Sequence, residues 1–239
     1  MTDAKPGLFV ATPCYGGLIY SSYVQSLVTT MDWAGREGIP FAHYTLSNES
    51  LIPRGRNVCC AEFLRSGLRK LLFIDADVSW SESDLRRLYH SEKTLIGGTY
   101  PVKKLPLSLN VNPVPEEERE FFDGKTRTKA DYARWAYAKA SPQGEIRVRH
   151  LPTGFMMIDR SVLLALAERL PSYNHVNMTR DTVEKHTEFF RSGEWQGEYE
   201  SEDWYFSRVA AEAGHPPHLN VNVILPHTGT YTFDAQVRR

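Results

Sequence analysis

The chain is expected to adopt an α/β fold around a mainly parallel sheet, and three observations support this. Over the first hundred residues, short apolar runs alternate with stretches of helical spacing, the pattern of a sheet joined by crossover helices. The run Leu71-Leu72-Phe73-Ile74 is apolar at consecutive positions, as in a strand covered on both faces. It ends in Asp75-Ala76-Asp77, two carboxylates at the end of a strand, where open α/β sheets bind ligands.

The elements follow in order. Leu8-Phe9-Val10-Ala11-Thr12 reads as a short strand ending in the turn Pro13-Cys14-Tyr15-Gly16-Gly17. A helix runs to about Glu37 and is closed by Gly38-Ile39-Pro40. Phe41 to Leu46 is the second strand. Pro53-Arg54-Gly55-Arg56-Asn57 opens a helix in which Val58, Ala61, Leu64 and Leu68 recur at helical spacing. After the acidic strand end, Ser81-Glu82-Ser83-Asp84 begins another helix, with a serine cap and an acidic first turn. Thr94 to Tyr100 is a fourth strand.

Between 101 and 143 the periodicity degrades. Prolines cluster there and Glu116-Glu117-Glu118 forms a charge run. This reads as an insertion of solvated loop and surface helix, or else as a lid over an acceptor site. The stretch 150–159 reads as a strand containing Gly154, followed by a helix from Ser161 to about Arg169. Ser201-Glu202-Asp203 leads into a helix of Trp204 to Ala213 stopped by Gly214, and Leu219 to Leu225 is the final strand, ending in Pro226-His227-Thr228-Gly229.

A length of 239 residues suits one domain, 1–239. With 41% hydrophobic and 24% charged residues, the composition is that of an ordinary globular protein. The net charge of −1 gives no electrostatic case for nucleic acid or an acidic membrane. No apolar stretch approaches the roughly 20 residues that cross a bilayer. Cys14, Cys59 and Cys60 fit neither a disulfide framework nor a zinc site, so reduced thiols and a cytoplasmic setting are expected.

The chemistry centres on Asp75 and Asp77. Alternate positions on extended chain point the same way, so the pair would converge on one site. Hard carboxylates suit Mg²⁺ or Mn²⁺, and those ions suit phosphates. The plain alternative is a solvated strand end. Glu202 and Asp203 are either favourable acids at a helix start or a base that receives the proton of an attacking hydroxyl. Arg56 lies near a helix start, where a cation opposes the dipole, so an anionic partner is expected for it, with Asn57 beside it at a nucleotide. Gly154 would let backbone approach a sugar, or mark a bulge. Trp204, with Trp195 and Tyr199, is either core or a platform for an acceptor sugar. Lys103 is a candidate phosphate contact.

Taken in order, Ala11-Thr12-Pro13, Arg54-Gly55-Arg56-Asn57, Asp75-Ala76-Asp77, Thr153-Gly154-Phe155, Glu202-Asp203 before a helix and a late His227 resemble the GT-A glycosyltransferases. The resemblance extends to small viral and bacterial transferases, including the first domain of a chlorovirus glycosyltransferase, and covers the chain outside about 101–143. It implies a single Rossmann-like domain that moves a sugar from a nucleotide-sugar, UDP- or GDP-linked, to a glycan or other hydroxyl acceptor. By the same likeness Thr12, Pro13 and Tyr15 would hold the base and ribose. Asp75 would lean toward the ribose or sugar and the metal. Asp77 would be the direct ligand of Mn²⁺ or Mg²⁺, with His227 as a further ligand. Asp203 would be the base of an inverting reaction, with Glu202 beside it in acceptor binding. A nucleotidyltransferase using the same acids and a non-catalytic sugar-binding module are the alternatives.

Overall fold

The computed structural model describes residues 4–103, 129–177 and 180–229. The chain begins with β1 (Lys5–Cys14), α1 (Ser21–Arg36), β2 (Phe41–Ser47), α2 (Ile52–Ser66), β3 (Leu68–Ile74), α3 (Glu82–Tyr89) and β4 (Leu95–Thr99). It continues with α4 (Lys129–Lys139), β5 (Glu145–Arg147), β6 (Phe155–Asp159), α5 (Arg160–Ala167), β7 (Ser172–Asn177) and β8 (Thr182–Thr187). Then come β9 (Gly193–Trp195), β10 (Glu198–Glu200), α6 (Glu202–Glu212) and β11 (His218–Ile224).

Seven strands form the central sheet in the order β2-β1-β3-β6-β4-β11-β5. Strands β2, β1, β3, β4 and β11 run one way, while β6 and β5 run against them. The sheet is therefore mainly parallel, as expected, with β6 inserted antiparallel between β3 and β4. Two small antiparallel hairpins, β7–β8 and β9–β10, stand outside it.

Period-two alternation explains why strands apolar at consecutive positions are needed. Phe9, Ala11, Leu71, Phe73, Met156 and Ile158 face one side, where Cys60 and Phe63 of α2, Leu163 of α5 and Phe206 of α6 pack on them. Leu8, Val10, Leu72, Ile74, Phe155 and Met157 face the other, against Tyr23 and Trp33 of α1 and Leu85 and Leu88 of α3. Helix ends follow local chemistry. Ser81 and Asp84 form a reciprocal capping box at the start of α3, and Gly67, in the left-handed region at φ 72°, ends α2.

Two expectations change. The stretch 150–154 is not strand: β6 starts at Phe155, since Pro152 has no N–H to give a ladder and the Gly154 carbonyl instead accepts from the Asp75 N–H at 3.2 Å. Of the 101–143 insertion, 104–128 lies outside the described residues, and its described end is α4.

Candidate active site

The acidic strand end is shaped by a turn. The Val78 N–H donates to the Asp75 carbonyl at 3.1 Å, so residues 75–77 leave the extended conformation as soon as β3 ends. This corrects the expectation that Asp75 and Asp77 point together. Their carboxylates engage different partners.

Asp77 meets the chain that leaves β11. The Thr228 N–H donates to the Asp77 carbonyl at 2.8 Å, the Ser79 N–H donates to the Pro226 carbonyl at 3.2 Å, and Val78 and His227 form an antiparallel bridge. This pairing carries His227, far away in sequence, to the side of Asp77, with imidazole Nε2 at 3.3 Å from Oδ1. The other ring nitrogen, Nδ1, sits 2.8 Å from the Pro101 carbonyl. A carbonyl only accepts, so Nδ1 carries a proton. In the neutral ring, Nε2 is then a bare lone pair facing a carboxylate oxygen. Two acceptors at that distance call for a proton on the ring or a cation between them. The second carboxylate oxygen, Oδ2, is paired with the Lys103 ammonium.

Asp75 turns the other way. Its Oδ1 is 3.1 Å from Nη2 of Arg56, and Arg56 Nε is 3.5 Å from Oε1 of Glu202. The guanidinium lies over the Phe73 ring at 5.3 Å and is almost wholly buried. Burial alone would lower its pKa, but the Asp75 and Glu202 carboxylates outweigh that and hold it above its ordinary value. Arg56 therefore bridges two of the expected site acids, and its anionic partners are these partly buried carboxylates of the chain itself. Its Nη1 is buried with no hydrogen-bond partner among the described residues.

Tyr100, which sequence reasoning missed, stands between the two halves. Its hydroxyl accepts from the Gly154 N–H at 3.0 Å and its ring meets the His227 ring edge-on with centroids 4.9 Å apart. Burial, reinforced by the nearby Asp75 carboxylate, raises its pKa far above the ordinary tyrosine value, so the phenol stays protonated. The only sequence signal was its place, one residue beyond a strand that ends near the acids. Gly154 is buried under it. A Cβ there would stand 2.3 Å from Tyr100 Oη and 2.7 Å from Asp75 Oδ2, so the missing side chain makes room for these two groups.

At the start of α6, Asp203 Oδ1 accepts from the Ser201 hydroxyl and from the Trp204 N–H at 2.9 Å. Its Oδ2 makes no hydrogen bond among the described residues, so one oxygen is oriented and the other is open. Ser201 was read only as the approach to a helix; its hydroxyl also fixes this acid. Trp204 is partly buried and stacks on His150 with centroids 3.9 Å apart.

The first strand-turn divides. The Thr12 hydroxyl is buried and bonded to the Tyr23 hydroxyl, which reaches His43 Nε2 at 3.1 Å, so its side chain serves the interior. Pro13 is partly exposed, and Tyr15 is 70% exposed and free to stack on a planar ligand. Asn57 is not turned outward for a nucleotide: its amide accepts from the Phe190 N–H at 2.8 Å and donates to the Phe190 carbonyl at 3.0 Å, imitating a strand neighbour.

Among the described residues, no three His, Cys, Asp or Glu side chains are gathered to hold a metal ion. Asp77 and His227 are brought together; Asp75 is not with them, because the turn sends it to Arg56. A hard divalent ion that takes one carboxylate, one imidazole and the oxygens of a bound diphosphate fits this donor set.

No helix among the described residues is long and apolar enough to cross a membrane. No protein-family profile and no curated protein matches the sequence. Among solved structures, the chain is similar over 98% of its length to the whole of A197 from STIV, at 13% identity and TM-score 0.49. It is similar over 93% of its length to GalNAc-T7, solved with UDP, GalNAc and Mn²⁺, at 10% identity and TM-score 0.47, and spans 43% of that chain. A glycosyltransferase involved in glycosylating the major capsid of PBCV-1 is matched over 66% of this chain and 62% of that one, at 10% identity and TM-score 0.32.

Proposed function

We propose that this chain is a metal-dependent glycosyltransferase that moves a sugar from a nucleoside-diphosphate sugar, UDP- or GDP-linked, to a hydroxyl of a glycan acceptor, with inversion. One observation carries the reading: His227 Nε2 lies 3.3 Å from the Asp77 carboxylate, with the other ring nitrogen held by the Pro101 carbonyl. These two side chains would hold Mn²⁺ or Mg²⁺, with the Pro101 carbonyl fixing the orientation of the imidazole. When bound there, the ion would neutralise the charge that grows on the departing diphosphate.

The chain's own residues do the remainder. Tyr15 and the backbone of the turn at Pro13 receive the base and ribose. Lys103, already at Asp77, lies within reach of a phosphate. Arg56 keeps Asp75 and Glu202 in place by pairing with both. Asp203 accepts the acceptor proton at its open Oδ2 while Ser201 and the Trp204 N–H hold Oδ1, so the attacking oxygen meets a base of defined orientation. Glu202 and Trp204 flank the acceptor.

The test combines nucleotide binding with turnover. His227→Ala should abolish Mn²⁺-dependent tightening of UDP or GDP binding, measured by calorimetry, while the protein remains folded. Asp203→Asn should keep that binding and lower transfer by about 10²-fold or more. Unchanged metal-dependent affinity in His227→Ala would sink the assignment. Pyrophosphate released from a nucleoside triphosphate, in place of nucleoside diphosphate released from a sugar donor, would move the protein to the nucleotidyltransferases.

A further inference from the structure

A cavity of about 440 Å³ opens along the outer face of α6, lined by Trp204, Arg208, Ala211 and Glu212 of the helix. Residues 147–150, from the last residue of β5 onward, the β9–β10 hairpin and Pro217 complete its walls. Neither Asp77 nor His227 lines it. From Asp203 to Glu212 a helix advances about 13 Å, so the cavity starts beside the proposed base and leads away from it.

Three aromatic rings, those of Trp195, Tyr199 and Trp204, look into this space. Tyr199 is 77% exposed, on a hairpin closed by the two-residue turn Gln196-Gly197, both at positive φ (53° and 85°). Such a turn matches the strand twist and holds the hairpin stiffly, so the ring is presented in a defined place with nothing packed on it. Arg208 is fixed from several sides. It forks onto Glu200 at 2.8 and 2.7 Å, reaches Glu212 at 3.1 Å, and lies over Trp195 at 4.3 Å. Arg147 and Arg149 are exposed and have no ion-pair partner among the described residues; Arg149 lies over Trp204 at 5.7 Å.

The lining carries three arginines (147, 149, 208) against three glutamates (198, 200, 212), so it is charge-balanced. That argues against a strongly ionic ligand. Planar arginine and carboxylate groups pair with vicinal hydroxyls, and exposed aromatic faces take the C–H face of a pyranose ring. A volume in the range of small-ligand sites accommodates a short oligosaccharide segment. Resting on the transferase reading, we infer that this cavity is a remote acceptor subsite: it binds uncharged hexopyranose residues of the acceptor glycan, while the hydroxyl being glycosylated lies at Asp203.

The test uses the full chain and a panel of uncharged gluco-, galacto- and manno-configured sugars, from monosaccharide to pentasaccharide, without nucleotide or metal. Binding is followed by saturation-transfer NMR and tryptophan fluorescence, with Mn²⁺-dependent UDP and GDP binding measured separately. At least one series should bind more tightly as it lengthens. Tyr199→Ala and Arg149→Ala should each weaken the longer members by about tenfold, leaving monosaccharide and nucleotide binding unchanged. No binding from the panel, no gain with length, or gains that survive both substitutions would overturn the subsite, and intact nucleotide binding would then leave the transferase reading standing. Length-dependent binding lost in Tyr199→Ala, without nucleotide binding under any condition, would keep the sugar site and overturn the transferase reading.

Discussion

At the scale of single residues, small spaces decide what the site can be. Gly154 is needed because Tyr100 and Asp75 occupy the volume a side chain would take. Gly154→Ala should therefore destabilise the fold by about 1–3 kcal/mol, seen as a lower midpoint in urea unfolding. A midpoint equal to that of the parent would mean that both neighbours step aside freely. Asp77 was legible as a candidate from residue type and position and His227 from the resemblance, and the bridge at Val78 explains how the chain brings the two together. Thr12, Arg56 and Asn57 were legible as important without their roles being so. Each is polar at a strand or helix end, and whether such a side chain faces a ligand or the interior depends on what packs over it. For Asn57 that is Phe190, 133 residues away.

At the scale of elements, the β7–β8 hairpin is docked on α2 by charge. Arg180 forks onto Glu62 at 2.7 Å, and Arg65 pairs with both Glu62 and Glu184. Within the hairpin, His186 is buried, its Nδ1 has no hydrogen-bond partner among the described residues, its Nε2 is 3.2 Å from Glu184, and its ring is stacked on that of His175 at 4.6 Å. Burial lowers the His186 pKa, more than Glu184 raises it, so the folded hairpin prefers the neutral ring. Its contribution to stability is complete above the unfolded value of about 6.5 and is lost as pH falls through the folded value. Amide exchange over 172–187, corrected for intrinsic rates, should be faster at pH 5.5 than at pH 7.5, and His186→Gln should reduce that difference. Equal protection at both pH values would show that the salt-bridge network alone holds the hairpin. Neither hairpin was read from the sequence. Ser172 to Asn177 carries few apolar residues, because much of the strand is solvent-facing, and the Gln196-Gly197 turn joins strands of only three residues each. The three-residue sheet strand β5 was not read either; the other sheet strands were legible for the opposite reason, being apolar runs bounded by turn residues.

At the scale of the whole molecule, two apolar layers enclose the sheet, and all three cysteines are buried and unpaired, Cys59 and Cys60 within the layer on the α2 side. Burial pushes the Cys59 thiol up to about 12 and Cys60 well above its ordinary value. The native protein should leave a thiol-reactive dye uncoloured over minutes at pH 8, and unfolding in guanidinium should release all three groups at once. Stepwise release, or rapid reaction of the native state, would show that one layer opens independently.

Strand β11 has a consequence for how the chain is made. It lies between β4 and β5, and β5 has no other neighbour in the sheet. Until residues 218–224 arrive, β4 shows a bare edge and β5 has nothing to pair with. Between the synthesis of β4 and that of β11, a nascent chain therefore carries an unpaired, adhesive sheet edge. The strand that removes this edge is the same one that delivers His227 to Asp77, so closing the edge and bringing these two side chains together are one event.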